Sequence, residues 1–195
     1  MQDTYKTISS KIGEGFYSEK RSKFLAFAHH VSSLDEIKQL LAAYRKKYYD
    51  ARHCCYAYML GPQRVDFRAN DDGEPSSTAG KPILGQINSS DLTDILIVVV
   101  RYYGGVNLGT GGLIVAYRTA AADAISHSDI EERQVEEIVN YSFTYPMMND
   151  VMRLVKELPV RILHQSFDNT CEITLSNRKS QGDLSRKRLE QLTFK

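Results

Sequence analysis

Residues 94–120 read DILIVVVRYYGGVNLGTGGLIVAYRTA, and this stretch decides how the chain folds. Ile95 to Val100 form an unbroken aliphatic run rich in β-branched residues, the pattern of a strand covered on both faces. From Gly111 to Ser128 the pattern turns helical, with alanines suited to close packing on a sheet. Between strand and helix stand Gly104, Gly105, Gly109, Gly111 and Gly112. A strand, a glycine-rich turn and a helix start together offer free N–H groups and the positive end of a helix dipole, which suits an anion. The spacing excludes two specific versions of such a site. No Lys follows these glycines as a Walker loop requires, and GG-x-x-x-G-x-GG is not the G-x-G-x-x-G of dinucleotide folds. Three uses stay open: positive-φ turns with close helix–sheet contact, a polyanion contact, and a small-nucleotide site.

Upstream, SKFLAFAHHV (22–31) alternates and reads as a strand. In 32–50, Leu34, Ile37, Leu40, Leu41, Tyr44 and Tyr48 recur at helical spacing, and Ser33 with Glu36 forms a capping box at the start. HCCYAYMLG (53–61) and QRVDFRAN (63–70) read as two strands around a Gly-Pro turn. DDGEPSSTAGKPILG (71–85) is a loop entering a short helix, with Asp72-Gly73 as its corner and Ser or Thr side chains capping that helix. Its acidic residues Asp71, Asp72 and Glu74 are candidates for acid–base work or for holding a hard cation, against the plainer reading of a solvated turn.

Downstream, SDIEERQVEE (128–137) concentrates charge and reads as a linker, dividing the chain into residues 1–132 and 133–195. The second part reads strand (135–145), helix (146–158, opened by Pro146), strand (160–167), strand (170–176) and helix (180–192, with Ser180 and Asp183 as its cap). That βαββα order is most of a ferredoxin-like unit, whose last edge strand would have to come from residues 193–195 or be missing.

The 195 residues carry a net charge of +1 and 42% hydrophobic residues, an ordinary globular composition. Residues 1–132 hold 15 Lys and Arg against 16 Asp and Glu, and residues 133–195 hold 10 against 8. A nucleic-acid surface is therefore a local patch and not a global field. Candidate patches interleave cations with tyrosines at 20–23, 44–53 and 101–103, and Arg186, Lys187 and Arg188 add a run near the end. The plainer reading of each is a solvated face with long cationic stems lying along it. Cys54, Cys55 and Cys171 are odd in number and two are adjacent, a poor disulfide framework, and HCC at 53–55 lacks zinc-ligand spacing. No metal and no cofactor is expected. With neither a secretory apolar segment nor a membrane-length apolar run, a cytoplasmic protein is expected.

The stretches ARHCCYAYML, NDDGEPSSTAGKPILGQI and VVVRYYGGVNLGTGGLIVAYRTAA closely resemble the IMPACT family, whose bacterial branch is the YigZ proteins. The resemblance runs from about Lys20 to Ala122, and the part from 133 on resembles the extra domain of the bacterial members. It implies an α+β chain of two domains. The first is a βαβ fold like ribosomal protein domain 2 and elongation factor G domain IV, and the second is ferredoxin-like. It also implies a role in translation or its regulation, with RNA or the ribosome as partner. The alternative is a nucleotide-binding enzyme working between the glycine loop and the acidic loop, and a protein partner on the C-terminal domain is a further expectation. The resemblance names no catalytic residue. The expected anion or nucleic-acid contacts are Lys23, Arg52, His53, Lys81, Arg101, Tyr102, Gly104, Gly105, Gly109, Gly111 and Gly112. Asp71, Asp72, Glu74 and Thr78 form the expected polar loop. Two positions depart from the family pattern. Ser77 stands where many members have Gly, and Asn107 stands where many have Lys or Arg, which removes about one ionic contact from the glycine loop.

Overall fold

The computed structural model describes residues 3–168 and 170–193 and divides into two compact units. One is Tyr5–Arg133; the other runs from Gln134 onward and takes in Asp3 and Thr4. Both mix sheet and helix, so the chain is of the α+β class.

In the first unit, β2 (Gly13–Glu19), β3 (Ser22–His30), β4 (His53–Leu60), β5 (Asp66–Asn70) and β6 (Ile95–Tyr102) form one antiparallel sheet in the order β2-β3-β6-β4-β5. β3 and β4 both flank β6 and run parallel to each other, joined across it by helix α1 (Leu34–Lys47). The centre of the sheet is β6, where Ile95 to Val100 are fully buried. Alternation along the strands splits their side chains between two layers. Phe24, Ala26, Cys55, Ala57, Ile97 and Val99 pack with α2 (Gly80–Ser89) and α3 (Gly109–Ser126). Phe27, Cys54, Tyr56, Leu96, Val98 and Val100 pack with Ile37 and Tyr44 of α1.

The start of α1 follows its sequence signal, with one shift. Glu36 N–H donates to Ser33 Oγ as expected, but the Glu36 carboxylate reaches back to Ser32 N–H and not to Ser33. α3 lies almost backbone to backbone on β2. A Cβ on Gly15 would stand 2.3 Å from Ala124 N, so glycine on the strand and alanine on the helix let the two approach.

Three strands were not foreseen. β1 (Thr4–Ile8) pairs with β7 (Ile130–Gln134), which lies inside the segment expected to be a linker. A charged, exposed strand becomes a strand here because it finds a partner, not because of its own pattern. β2 is the third.

In the second unit, β8 (Glu136–Phe143), β9 (Val160–Phe167) and β10 (Cys171–Arg178) form an antiparallel sheet in the order β8-β10-β9. Helices α4 (Met148–Glu157) and α5 (Lys179–Thr193) cover one face over Val139, Val151, Leu154, Ile173, Leu175 and Leu189. Among the described residues this is the ferredoxin-like order without its fourth strand. Of the segment expected to supply that strand, Thr193 ends α5, and Phe194 and Lys195 lie outside the described residues. α5 starts at Lys179, one residue before the cap expected at Ser180. Of the cationic run on it, Arg186 pairs with Glu137 and Arg188 with Glu157. Among the described residues, no helix is long and apolar enough to cross a membrane.

Candidate functional site

Two loops meet beside the N-terminus of α3. The first follows β5. Asp71 to Glu74 is a tight turn closed by Glu74 N–H donating to Asp71 O, with positive φ at Asp72 and Gly73. The Asp71 carboxylate accepts from Ser77, Ala79 and Gly80 N–H at 2.8–3.1 Å. It caps α2 from nine residues away, where Ser or Thr side chains were expected to do so; Thr78 Oγ1 instead donates to Pro75 O. Asp72 accepts from Arg45 Nη2 and Cys54 N–H, which ties the loop to α1 and β4. These carboxylates hold their loop.

Glu74 does something different. Its side chain is 3% exposed and points under the loop, where one oxygen, Oε1, accepts from Arg101 Nη1 at 2.6 Å and from Tyr117 OH at 2.7 Å. Arg101 is itself 8% exposed, sits between the rings of Phe24 and Tyr103, and leaves its Nε without a hydrogen-bond partner. Burial raises the Tyr117 hydroxyl far above the ordinary phenol range, so it stays a donor. His53 is the register partner of Arg101 across β4 and β6. Its Nδ1 lies 2.8 Å from Asp72 O, and its Nε2 faces Glu74 Oε2 at 3.9 Å. A carbonyl only accepts, so Nδ1 carries the proton in the neutral ring and Nε2 presents a lone pair.

The second loop is the glycine stretch. Gly104 fits against the backbone of Arg21 and Ser22, with no room for a Cβ, and Gly105 has φ +87°. α3 begins at Gly109, whose φ is +72°, and no side chain caps its first turn. Its leading N–H groups are thus left for water or a ligand.

These pieces enclose a cavity of about 470 Å³ lined by Arg52, His53, Glu74, Pro75, Arg101, Tyr103, Asn107, Leu108, Gly109, Thr110 and Leu113. Arg52 is exposed and makes no hydrogen bond or ion pair with a described residue. Of the expected contacts, the structure brings Arg52, His53, Arg101 and Gly109 to the cavity and adds Glu74 from the polar loop. Lys23 and Lys81 are exposed away from its lining, Tyr102 donates to Asp50, and Gly104, Gly105, Gly111 and Gly112 lie beside it. Most of the flagged tyrosines have structural work: Tyr44 bonds to His29 and Tyr48 stacks on Tyr44. Sequence reasoning missed Tyr117, the one large polar-tipped residue in an alanine stripe, and Leu113, which joins Pro75 and Tyr103 of the flagged 101–103 patch in one wall.

The adjacent cysteines point to opposite layers. Burial pushes the Cys54 thiol up to about 11 and Cys55 higher still. At pH 8 the thiolate share of Cys54 is then on the order of one in a thousand, so neither is a nucleophile. A thiol reagent at pH 8 is expected to label none of the three cysteines in the folded protein and all of them after denaturation, since all three are buried and unpaired. Rapid labelling of Cys54 in the native protein would contradict this.

Ser77 stands in a backbone conformation that favours glycine. Its φ is +65°, where an L side chain costs roughly 1–2 kcal/mol. Ser77→Gly is expected to raise the unfolding free energy by about 0.5 kcal/mol after the greater freedom of glycine in the unfolded chain is subtracted. A shift in the urea midpoint measures it, and an unchanged or lower midpoint refutes it.

Residues 20–125 match the Impact N-terminal domain family, more than half of the chain and the whole of the cavity. The IMPACT family member YvyE of Bacillus subtilis is 34% identical over 157 residues, covering 80% of this chain and 72% of that protein. The IMPACT family member YigZ of Escherichia coli is 32% identical over 152 residues, with 76% and 74% covered. A crystal structure of a hypothetical protein matches with a TM-score of 0.77 at 25% identity, covering 98% of this chain and 93% of that one. With both its N-terminal domain and most of its length shared with these relatives, the chain belongs to the IMPACT family.

Proposed function

We propose that this protein acts in translation or its regulation, in the cytoplasm, by holding a phosphate-bearing partner (RNA, free or within the ribosome) without performing chemistry on it. The observation that carries the reading is the convergence of Arg52, Arg101 and the uncapped start of α3 on one cavity. Helix N-terminal N–H groups and arginines are the donors that suit phosphate oxygens. The role in translation comes from the family resemblance and the translation-factor character of the folds that it implies.

Co-sedimentation with ribosomes tests it. Pelleting is expected at about 50 mM salt, to fall steeply by about 200 mM as counterion release requires, and to be lost in Arg52→Glu. Arg52 is the right position because it is exposed and partnerless, so its replacement leaves the fold intact. Absence of pelleting at low salt, or pelleting indifferent to salt, overturns the reading.

A second reading, a nucleotide-binding enzyme, draws on the His53 Nε2 lone pair beside the Glu74 carboxylate at the cavity wall. It requires turnover of a nucleotide that His53→Gln abolishes while thermal stabilisation by that nucleotide persists. A screen of nucleotides with no turnover removes it.

A further inference from the structure

Gly111, in the first turn of α3, is a glycine that the fold does not require. A Cβ built there meets nothing within 4 Å, and its φ is not positive. Glycine weakens a helix relative to alanine, so bare backbone at an open, uncrowded position is explained by something that must come close to it. The neighbouring backbone has a shape suited to an anion. Leu108 is in the right-handed helical region (φ −86°, ψ −18°) and Gly109 follows at φ +72°. Alternation of this kind turns successive N–H groups toward one point.

A second observation is independent of the helix. Arg101 is more than nine-tenths buried, lines the same cavity, and has an Nε–H with no acceptor. A buried donor without a partner is costly, and a turn of the side chain that brings it to an oxygen in the cavity satisfies it. The acceptors complete the pattern. In the neutral ring His53 Nε2 presents a lone pair, and Glu74 Oε2, 3.9 Å from it, accepts a hydrogen bond from none of the described residues. Inorganic phosphate can reach these two acceptors only by turning its own P–OH toward them and away from the donors, whereas a sugar hydroxyl beside a phosphate donates to them while the phosphate oxygens stay on the donors.

Resting on the phosphate-bearing partner proposed above, we infer that the cavity receives the terminal phosphate monoester of a nucleotide, free or at the end of an RNA chain. A monoester carries −1.5 to −2 charges and three free oxygens at pH 7. It can therefore meet the α3 N–H groups, Arg52 and Arg101 together, while Arg101 screens it from Glu74. An internal diester has one charge and must lead chain out on both sides. The volume of about 470 Å³ lies within the range for small-molecule pockets, and the Tyr103 ring with Pro75 and Leu113 gives the sugar or base an apolar flank.

The test is fluorescence anisotropy of the full chain with short oligoribonucleotides of one sequence ending in phosphate or in hydroxyl, competed by nucleoside monophosphate or by inorganic phosphate. Phosphate-ended RNA is expected to bind at least ~10-fold more tightly. Nucleoside monophosphate is expected to compete better than inorganic phosphate. Arg52→Ala is expected to remove most of the preference. Gly111→Ala is expected to reduce it while holding or raising the thermal midpoint, which a purely structural glycine would not do. Equal binding of both ends overturns the inference and leaves the ribosome reading to its own pelleting assay. Where neither RNA binds, thermal stabilisation by the nucleoside monophosphate supports the phosphate-end assignment and overturns RNA as its source. No binding of any probe overturns the inference.

Discussion

Glu74→Ala is expected to lower the unfolding free energy by about 3–5 kcal/mol, close to the limit a marginally stable domain tolerates. The cost does not come from lost contact area. It comes from Arg101, which is 8% exposed and already has an unpartnered Nε, and which would keep its charge with its only counter-ion among the described residues gone. Tyr117 is fully buried and loses the acceptor of its hydroxyl in the same step. Tyr117→Phe removes only one hydrogen bond to a charged group and is expected to cost about 1.5–3 kcal/mol. A double replacement, Glu74→Leu with Arg101→Met, removes both charges and is expected to recover most of what the single change loses, because a buried ion pair is worth little more than well-packed apolar groups. Urea denaturation of the three variants checks the order. If Glu74→Ala costs less than about 1 kcal/mol, the pair is solvated in solution and the description of a buried pair is wrong. If the double variant is as unstable as the single one, the cost lies in packing and not in the orphaned charge. The double variant is also expected to lose binding at the cavity. An ion pair that stability alone would not keep is consistent with a guanidinium held in place for a ligand.

The parts of this fold that were legible in sequence are those whose cause is local. Ile95 to Val100 could only be a strand covered on both sides, and the layers on each face of the sheet followed from it. Ser33 and Glu36 marked the start of α1 because a cap is a matter of three residues. β2 was not legible. Its glycines at 13 and 15 give no strand signal, yet they serve the close approach of α3, a helix about a hundred residues later. β7 looked like a charged linker because its pairing with β1 leaves no mark in either segment. The site shows the same division. The glycine stretch announced a helix start with free N–H groups, and Arg52, His53 and Arg101 stood in the family motifs. The bond from Glu74 to Arg101 spans 27 residues and that to Tyr117 spans 43, so it depends on strand register and on the face of α3 turned to the sheet. Sequence therefore supplied the donors of the cavity, and only the fold showed that one acidic residue leaves its loop to neutralise one of them.

The second large effect is expected at Asp71. Asp71→Ala should lower the unfolding free energy by about 2–4 kcal/mol, although the residue is neither catalytic in position nor part of the cavity lining. Three backbone N–H groups, those of Ser77, Ala79 and Gly80, converge on its two carboxylate oxygens. Ala79 and Gly80 are buried, so water cannot replace the carboxylate for them without the loop opening. α2 has no other side-chain cap, and the positive end of its dipole favours the negative charge there. Asp71→Asn keeps an acceptor oxygen without the charge and is expected to lose about half as much. Asp72→Ala should cost less than Asp71→Ala, because its side chain accepts from one backbone N–H, that of Cys54, where Asp71 accepts from three, and its bond to Arg45 is made at a half-exposed surface. The loop that Asp71 closes also carries Glu74 and Pro75, so the loss should propagate to the cavity. Amide exchange separates this account from a general loss of stability. In Asp71→Ala the amides of Ala79 and Gly80 are expected to lose protection well before those of β6, whereas equal loss at both would mean that the variant unfolds as a whole and that Asp71 is no local clasp. If the clasp holds, Asp71→Asn should weaken phosphate binding with little change in the β6 amides. Arg52 and the start of α3 would then still be in place, and only the wall opposite them would have moved.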